Sequence, residues 1–182
     1  MIIWIASYPK SGNTLVRSIL SSYLFTSDGN FKFELLNYIK QFPSREFFEK
    51  INVDVDNKFE VEKNYVKAQE LINSYNKSNF LKTHSAYKLN YHYNFTNFEN
   101  TLGAIYIVRD PRNVITSVKN HFSFKNYDEA KHFIFNEKQA LISTKYSKKE
   151  DYMLETIIGS WKTHYVSWKS SKKNYLIIKY EN

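Results

Sequence analysis

Along the chain, short apolar runs alternate with amphipathic stretches in an order that predicts strands feeding into helices. Ile2-Ile3-Trp4-Ile5-Ala6 is compact, apolar and rich in β-branched side chains, the pattern of a buried strand. Ser7 to Thr14 interrupts it. Leu15, Val16, Ile19, Leu20, Tyr23 and Leu24 then share one helical face, with Arg17, Ser18, Ser21 and Ser22 on the other, so a helix is expected to start near Gly12 or Asn13. Thr26 to Asn30 has turn chemistry, Phe33, Leu36 and Ile39 begin a second helical pattern, and Pro43-Ser44 ends it. Arg45 to Tyr75 is polar with scattered aromatics, as in surface helices, with Val66, Leu71 and Ile72 as its candidates for burial.

Asn79 to His84 reads as a short strand running into Lys82 and His84. Tyr87 to Asn100 carries no usable period and is expected to be a loop over the mouth of a site. Ala104 to Val108 is a second fully buried strand. It ends in Arg109-Asp110-Pro111, where Asp110 suits a helix cap and Pro111 a first helical turn, followed by an inner face of Val114, Ile115, Val118 and Phe122. Asp128 and Glu129 open a helix with Phe133 and Ile134 inward, and Lys145 to Asp151 is a charged linker. The spacing of Leu154, Ile157, Ile158, Trp161, Tyr165 and Trp168 predicts one long amphipathic helix, its Trp residues in the core, and Tyr175 to Glu181 a last strand. Strands near 2–6, 80–83, 104–108 and 175–180 in alternation with helices imply an α/β fold, a mainly parallel central sheet covered on both faces.

Composition narrows the function. With 182 residues and 42% hydrophobic content one sizeable core and one domain are expected, and the absence of Cys rules out disulfides and thiolate metal sites. The amino terminus has no basic region and only a brief apolar run before Ser7 and Lys10, so neither a signal peptide nor a membrane span is expected, and a cytoplasmic location follows as the default. A formal charge of +8 with 15 Tyr and 14 Phe invites a nucleic-acid reading. The enrichment in Lys, Asn, Phe, Tyr and Ile is spread through the whole chain, however, and no basic tract stands out. A basic surface equally suits small polyanions.

The candidate chemistry begins at Ser7-Tyr8-Pro9-Lys10-Ser11-Gly12-Asn13-Thr14. A helix starting behind this loop points its unpaired N–H groups and positive dipole end back over it. Gly12 lets the backbone approach an oxyanion, Ser11 and Thr14 offer hydroxyls and Lys10 a full charge, which together describe an anion site. The plain alternative is an ordinary strand-to-helix turn capped by Ser and Asn, with Lys10 in water. The Lys precedes the loop's only Gly, so this is no Walker loop.

The segment YPKSGNT resembles the 5'-phosphosulfate loop of sulfotransferases that use 3'-phosphoadenosine 5'-phosphosulfate (PAPS), usually YPKSGTTW, with Asn13 and Leu15 as departures. KTH at 82–84 is similar to the family's KTHLP, though Ser85-Ala86 replaces Leu-Pro, and IVRDPRNVITS is similar to its 3'-phosphate segment VRNPKDVAVS. GSWKTHYVSWK resembles a GSW..H...W helix, and the strand ending Tyr180-Glu181 resembles one ending YED. Nothing matches the family's later Gly-rich RKGxxGDWK segment. The chain is thus expected to be a single sulfotransferase-like domain, 1–182, lacking that segment, either a fragment or a shortened relative.

The resemblance implies a three-layer P-loop-like fold and transfer of the sulfuryl group of PAPS to a hydroxyl or amine acceptor, with a sugar, a phenol and a lipid headgroup all open. It implies His84 as catalytic base, at its ordinary pKa near 6.5, with Lys10 and Lys82 assisting. Lys10, Ser11, Gly12, Asn13 and Thr14 would hold the 5' side of PAPS. Arg109, whose fork suits a phosphate, and Ser117 would hold the 3'-phosphate, with Tyr180 near the adenine. For Arg109 a capping ion pair with Asp110 is the plainer alternative. No metal is expected, since a transferring sulfuryl carries less charge than a phosphoryl group. Nucleic acid and stable membrane insertion are not expected, and oligomeric state is not legible. A P-loop nucleotide kinase and a non-catalytic nucleotide-binding module remain as the other function classes.

Overall fold

The computed structural model describes residues 1–75, 78–88, 93–142, 154–171 and 174–181. Four parallel strands form the central sheet: β1 (Ile2–Ser7), β2 (Asn79–Thr83), β3 (Thr101–Val108) and β6 (Asn174–Lys179), in the order β2-β1-β3-β6. All four are the expected strands. Parallel pairing requires a crossover after each one, and this aligns the carboxyl ends of the strands on one side. Two further short strands, β4 (Ala140–Leu141) and β5 (Thr156–Ile157), pair antiparallel apart from the main sheet.

One face of the sheet carries a deep aromatic core. Ile2, Trp4, Ala6, Leu81, Ala104 and Tyr106 point into it, and α2 (Arg45–Glu49), α3 (Lys58–Lys63), α4 (Tyr65–Asn73) and α7 (Trp161–Lys169) close it with Phe47, Phe48, Val61, Tyr65, Ile72 and Trp168. Phe95 inserts between Trp4, at 4.9 Å, and Trp168, at 6.0 Å. The described parts of the 87–100 stretch have no helix or strand, as expected, yet Phe95 and Thr96 are buried, so this loop is part of the core and not merely a cover. Residues 89–92 lie outside the described residues, as does the charged linker 145–151.

The other face is thinner. Ile5 and Ile107 meet Ile39 together with Val16 and Leu20 of α1 (Asn13–Phe25). The helix starts where expected, but its orientation differs from the apolar-face reading. Ser21 and Ser22 are buried, whereas Leu15, Ile19, Tyr23 and Leu24 are exposed. Periodicity marks an apolar flank, and whether a neighbour covers that flank is a tertiary matter. Arg17, on the side assigned to solvent, donates to the carbonyls of Leu36 and Ile39 at 2.8 Å. These belong to the short second helix, a 3-10 helix at Phe33–Tyr38, and its exit.

At the carboxyl ends of the strands a third cluster forms. Tyr8 packs with Val114 and Val118 of α5 (Pro111–His121) and with Ala130, Phe133 and Ile134 of α6 (Tyr127–Phe135). Asp110 caps α5 and Pro111 occupies its first turn, as expected. The expected long helix from Leu154 is corrected: 156–157 is strand β5, and α7 begins only at Trp161. Gly159 has φ +64°, and Ser160 then caps the helix by accepting from the Thr163 N–H. A left-handed glycine before a serine cap is a start signal, and it outweighs the helical spacing of Leu154, Ile157 and Ile158.

Candidate functional site

Three strand ends converge on one loop. β1 runs into Ser7, β2 into His84 and β3 into Arg109, and their register places Ala6 beside both Thr83 and Tyr106. Contacts to the loop backbone then fix the two flanking groups. The His84 ring Nδ1 lies 2.7 Å from the Ser7 carbonyl oxygen, and an Arg109 Nη1–H donates to the Lys10 carbonyl at 3.0 Å. Lys10, His84 and Arg109, read from separate parts of the sequence, thus surround one loop.

The loop itself is shaped by two left-handed residues, Lys10 at φ 65° and Gly12 at φ 101°. Gly12 answers a second demand as well, because a Cβ there would fall 2.3 Å from Cδ2 of Tyr180. Behind it α1 starts with no side-chain cap and no acidic residue in its first turn, so its first N–H groups face the loop without an internal partner. Ser11 is almost fully buried, and its hydroxyl has no hydrogen-bond partner. A buried hydroxyl left this way costs about 1–3 kcal/mol unless something accepts its proton. Uncapped amides, an unused hydroxyl and the charge of Lys10 are donors of the kind an oxyanion takes. The Asn13 side chain serves the frame instead, donating to the Ile5 carbonyl at 3.0 Å and the Ser7 hydroxyl at 3.2 Å. Thr14 is exposed on the first turn.

On the β2 side a carbonyl can only accept, so His84 Nδ1 carries the proton and Nε2 has the lone pair. Burial, and then the nearby Lys82 charge, hold the His84 pKa well below 6.5, opposed by the bond to Ser7. This corrects the expectation of an ordinary histidine: the ring stays neutral through neutral pH and into mild acid. Lys82 donates to the Gln41 Oε1 at 2.8 Å, and its pKa is lowered to about 8 by burial and then by Arg17. Arg17 and Gln41 were not legible as part of the site, since both reach it from other elements.

On the β3 side the Arg109 guanidinium lies 4.4 Å above the Tyr180 ring, and its Nε is 3.8 Å from a Glu181 carboxylate oxygen. Trp161 Nε1–H donates to the Arg109 carbonyl at 3.2 Å. The capping alternative for Arg109 does not hold, because Asp110 pairs with Arg112. Glu181 was missed in the sequence. It accepts from the Asp110 N–H and the Asn113 amide at 3.0 and 3.1 Å, and so ties the end of β6 to the start of α5. Ser117 sits half-buried in α5, two turns behind Asp110, and Tyr180 is 39% exposed with its ring against Gly12. Among the described residues no cluster of His, Cys, Asp or Glu suits a metal ion, and no helix is long and apolar enough to cross a membrane.

Comparison with known proteins fits this arrangement. The model of a family described as the sulfotransferase domain matches residues 2–182. No curated protein matches the chain. Among solved structures, a retinol dehydratase in a complex with retinol and PAP superposes with a TM-score of 0.51 at 17% identity, over 99% of this chain and 54% of that one. The likeness is one of fold, and the chain spans about half of that neighbour's length.

Proposed function

Because the chain belongs to the sulfotransferase-domain family, we propose that it binds PAPS and transfers the sulfuryl group to an alcohol. The observation that carries the reading is the loop, whose buried Ser11 hydroxyl and uncapped α1 amides lack an acceptor beside Lys10. The orphaned hydroxyl and the cationic Lys10 and Arg109 fit the anionic ends of an adenosine 3',5'-bisphosphate skeleton. Ser11, Thr14, Lys10 and the main chain of Gly12 and Asn13 hold the 5' side. Arg109, with Ser117, binds the 3'-phosphate, and Tyr180 lies toward the adenine. The complex of the solved neighbour with PAP agrees with this ligand class.

In the reaction the acceptor oxygen attacks sulfur in line, forming the new S–O bond as the bond from sulfur to the 5'-phosphate oxygen breaks. The acceptor proton passes to His84 Nε2, the nitrogen left bare by the bond between Nδ1–H and Ser7. Lys10 and the loop donors stabilise the charge that grows on the leaving phosphate oxygen. Lys82, when protonated, faces the sulfuryl oxygens. The segment that follows His84 lines a small cavity through Ser85, Ala86 and Tyr87, with Tyr65, Phe95 and the polar Glu62 across from them, and this is where the acceptor is placed. The neighbour's complex with retinol makes an apolar alcohol the first acceptor to try.

The test is turnover of PAPS with a panel of phenols, isoprenoid alcohols and sugars. Release of adenosine 3',5'-bisphosphate that depends on an apolar alcohol and is lost in His84→Ala supports the reading. Turnover of ATP with Mg2+ in place of PAPS would overturn it.

A further inference from the structure

His164 lies on the core side of the site, 80 residues from His84 in sequence, and nothing in the reaction above uses it. It is fully buried, and both of its ring nitrogens are engaged. Nε2 is 3.0 Å from the His84 carbonyl oxygen and Nδ1 is 2.8 Å from the Tyr106 hydroxyl. The carbonyl can only accept, so Nε2–H donates to it, and the Tyr106 O–H therefore donates to Nδ1. The ring also stands edge-on to Tyr8 of the loop, 5.6 Å away.

The neighbouring residues of the same helix continue the pattern along the chain that leaves His84. Trp168 Nε1–H donates to the Ser85 carbonyl at 2.9 Å, and the Ser167 hydroxyl accepts from the Tyr87 N–H at 3.1 Å. Ala86 N–H donates to the Ile157 carbonyl at 3.0 Å, just before the helix. Positions 164, 167 and 168 are spaced 3 and 4 apart and so share one face of α7. Through His164, Ser167 and Trp168 that face meets the backbone of His84, Tyr87 and Ser85 respectively. A buried histidine in an apolar helix face costs conformational freedom and desolvation, and a leucine would fill the same space. Its bond to a main-chain carbonyl is specific to one residue, the one whose ring is pinned from the opposite side by Ser7.

We infer that α7 is a template for the segment His84 to Tyr87, and that His164, held by Tyr106, is a positioning residue that sets the main chain of the base. The inference rests on the proposed transferase reading for its catalytic consequence, whereas the geometric claim is testable without it. The His84 residue is held at two points, its Nδ1–H by Ser7 and its carbonyl by His164. Releasing the second lets the ring move away from the loop and toward water, while the anion loop and Arg109 stay intact.

The experiment uses the full chain with 15N-labelled histidine, followed by NMR from pH 8 to pH 5, in the wild type, His164→Gln, His164→Leu and Tyr106→Phe. The charges that His84 feels come from Lys82, His164 and Arg17. In the wild type the His84 signal should keep the neutral form with a bare Nε2 below pH 6.5. In His164→Leu it should titrate nearer 6.5 and average between tautomers. His164→Gln, whose amide can still donate to the His84 carbonyl, should restore the wild-type signal. Should His164→Leu fail to fold, Tyr106→Phe removes one hydroxyl, keeps the ring, and is expected to shift His84 in the same direction by less.

With PAPS and an accepted alcohol, kcat of His164→Leu should fall on the order of ten- to a hundredfold. Its KM for PAPS and its affinity for adenosine 3',5'-bisphosphate should stay within about twofold, since the α1 and Arg109 contacts remain, and His164→Gln should recover most of the loss. A wild-type chain that shows the His84 signal and its response to His164 but no turnover would sink the transferase reading and leave the template standing. A chain that turns over PAPS with an unchanged His84 signal in His164→Leu and Tyr106→Phe would overturn the template. So would equal losses of nucleotide affinity and kcat in the Leu and Gln variants.

Discussion

The two sides of the loop from Tyr8 to Thr14 are built on opposite plans. On the β2 side His84, Ser7, Asn13 and His164 are buried or half-buried, and their polar atoms are turned inward on one another. On the β3 side Arg109, Tyr180 and Glu181 lie nearer the surface, joined by a cation–π contact and a long ion pair. The deep side fixes a ring to a single tautomer, which suits the proposed proton transfer. The outer side presents a charged fork, which suits the proposed recognition of a phosphate. Chemistry and affinity should therefore separate when either side is altered.

The sharpest break in that comparison is His84→Ala. It should lower kcat about 100- to 10,000-fold, the usual worth of a positioned base, with little change in affinity for adenosine 3',5'-bisphosphate by calorimetry. A matching loss of affinity would mean the two sides are one unit. Next in size is the pH dependence of stability, which belongs to the deep side alone. His164 has its pKa lowered to about 4 by burial, against 6.5 in the unfolded chain. Between those values the unfolded state binds a proton that the folded state refuses, so stability is full above 6.5 and falls as pH drops toward 4. The loss is on the order of 3 kcal/mol for this group, and His84, shifted the same way, adds to it. Urea unfolding at several pH values measures it, and a flat profile would show His164 protonated within the fold.

On the outer side, Arg109→Ala should weaken binding of adenosine 3',5'-bisphosphate by about 2–3 kcal/mol, as expected for charge-assisted bonds to one phosphate, and raise KM for PAPS while kcat changes less. The smallest effects are expected at Lys82, between the two sides. The rate should stay level well below pH 6.5 as His84 remains neutral, and fall as pH rises through about 8, where Lys82 loses its proton. Lys82→Arg should remove the alkaline fall, and Lys82→Met should move the acid fall upward by relieving His84 of a neighbouring charge. Rate profiles of the three proteins decide this.

How far the site was legible in the sequence follows the same division. Lys10 and Arg109 each follow an apolar run that suits a buried strand, His84 follows the short strand Asn79–Thr83, and a parallel sheet gathers such ends. The Asp110-Pro111 cap was equally plain. What escaped depends on contacts across many residues: His164 with His84, Trp161 with the Arg109 carbonyl, Glu181 with the start of α5. The solvent-facing Leu15 and Ile19 escaped for a related reason, because an apolar flank announces a partner without saying that one is there. The start of α7 is legible locally, since Gly159-Ser160 carries the boundary signal that helical spacing masks. Helical spacing in Leu154, Ile157 and Ile158 arises from a loop and a short strand that bury Leu154 and Ile158 and leave Ile157 half-buried.

On the proposed reading the loop and Arg109 together recognise a nucleotide with both a 5' anion and a 3'-phosphate. Calorimetric titration with adenosine 3',5'-bisphosphate, with 5'-AMP and with ATP plus Mg2+ tests it most directly, on the wild type, Lys10→Ala and Arg109→Ala. The bisphosphate should bind with an affinity that 5'-AMP does not match, weakened in Lys10→Ala and lost to the level of 5'-AMP in Arg109→Ala. Equal affinity for 5'-AMP and the bisphosphate, or tighter binding of ATP with Mg2+, would contradict it.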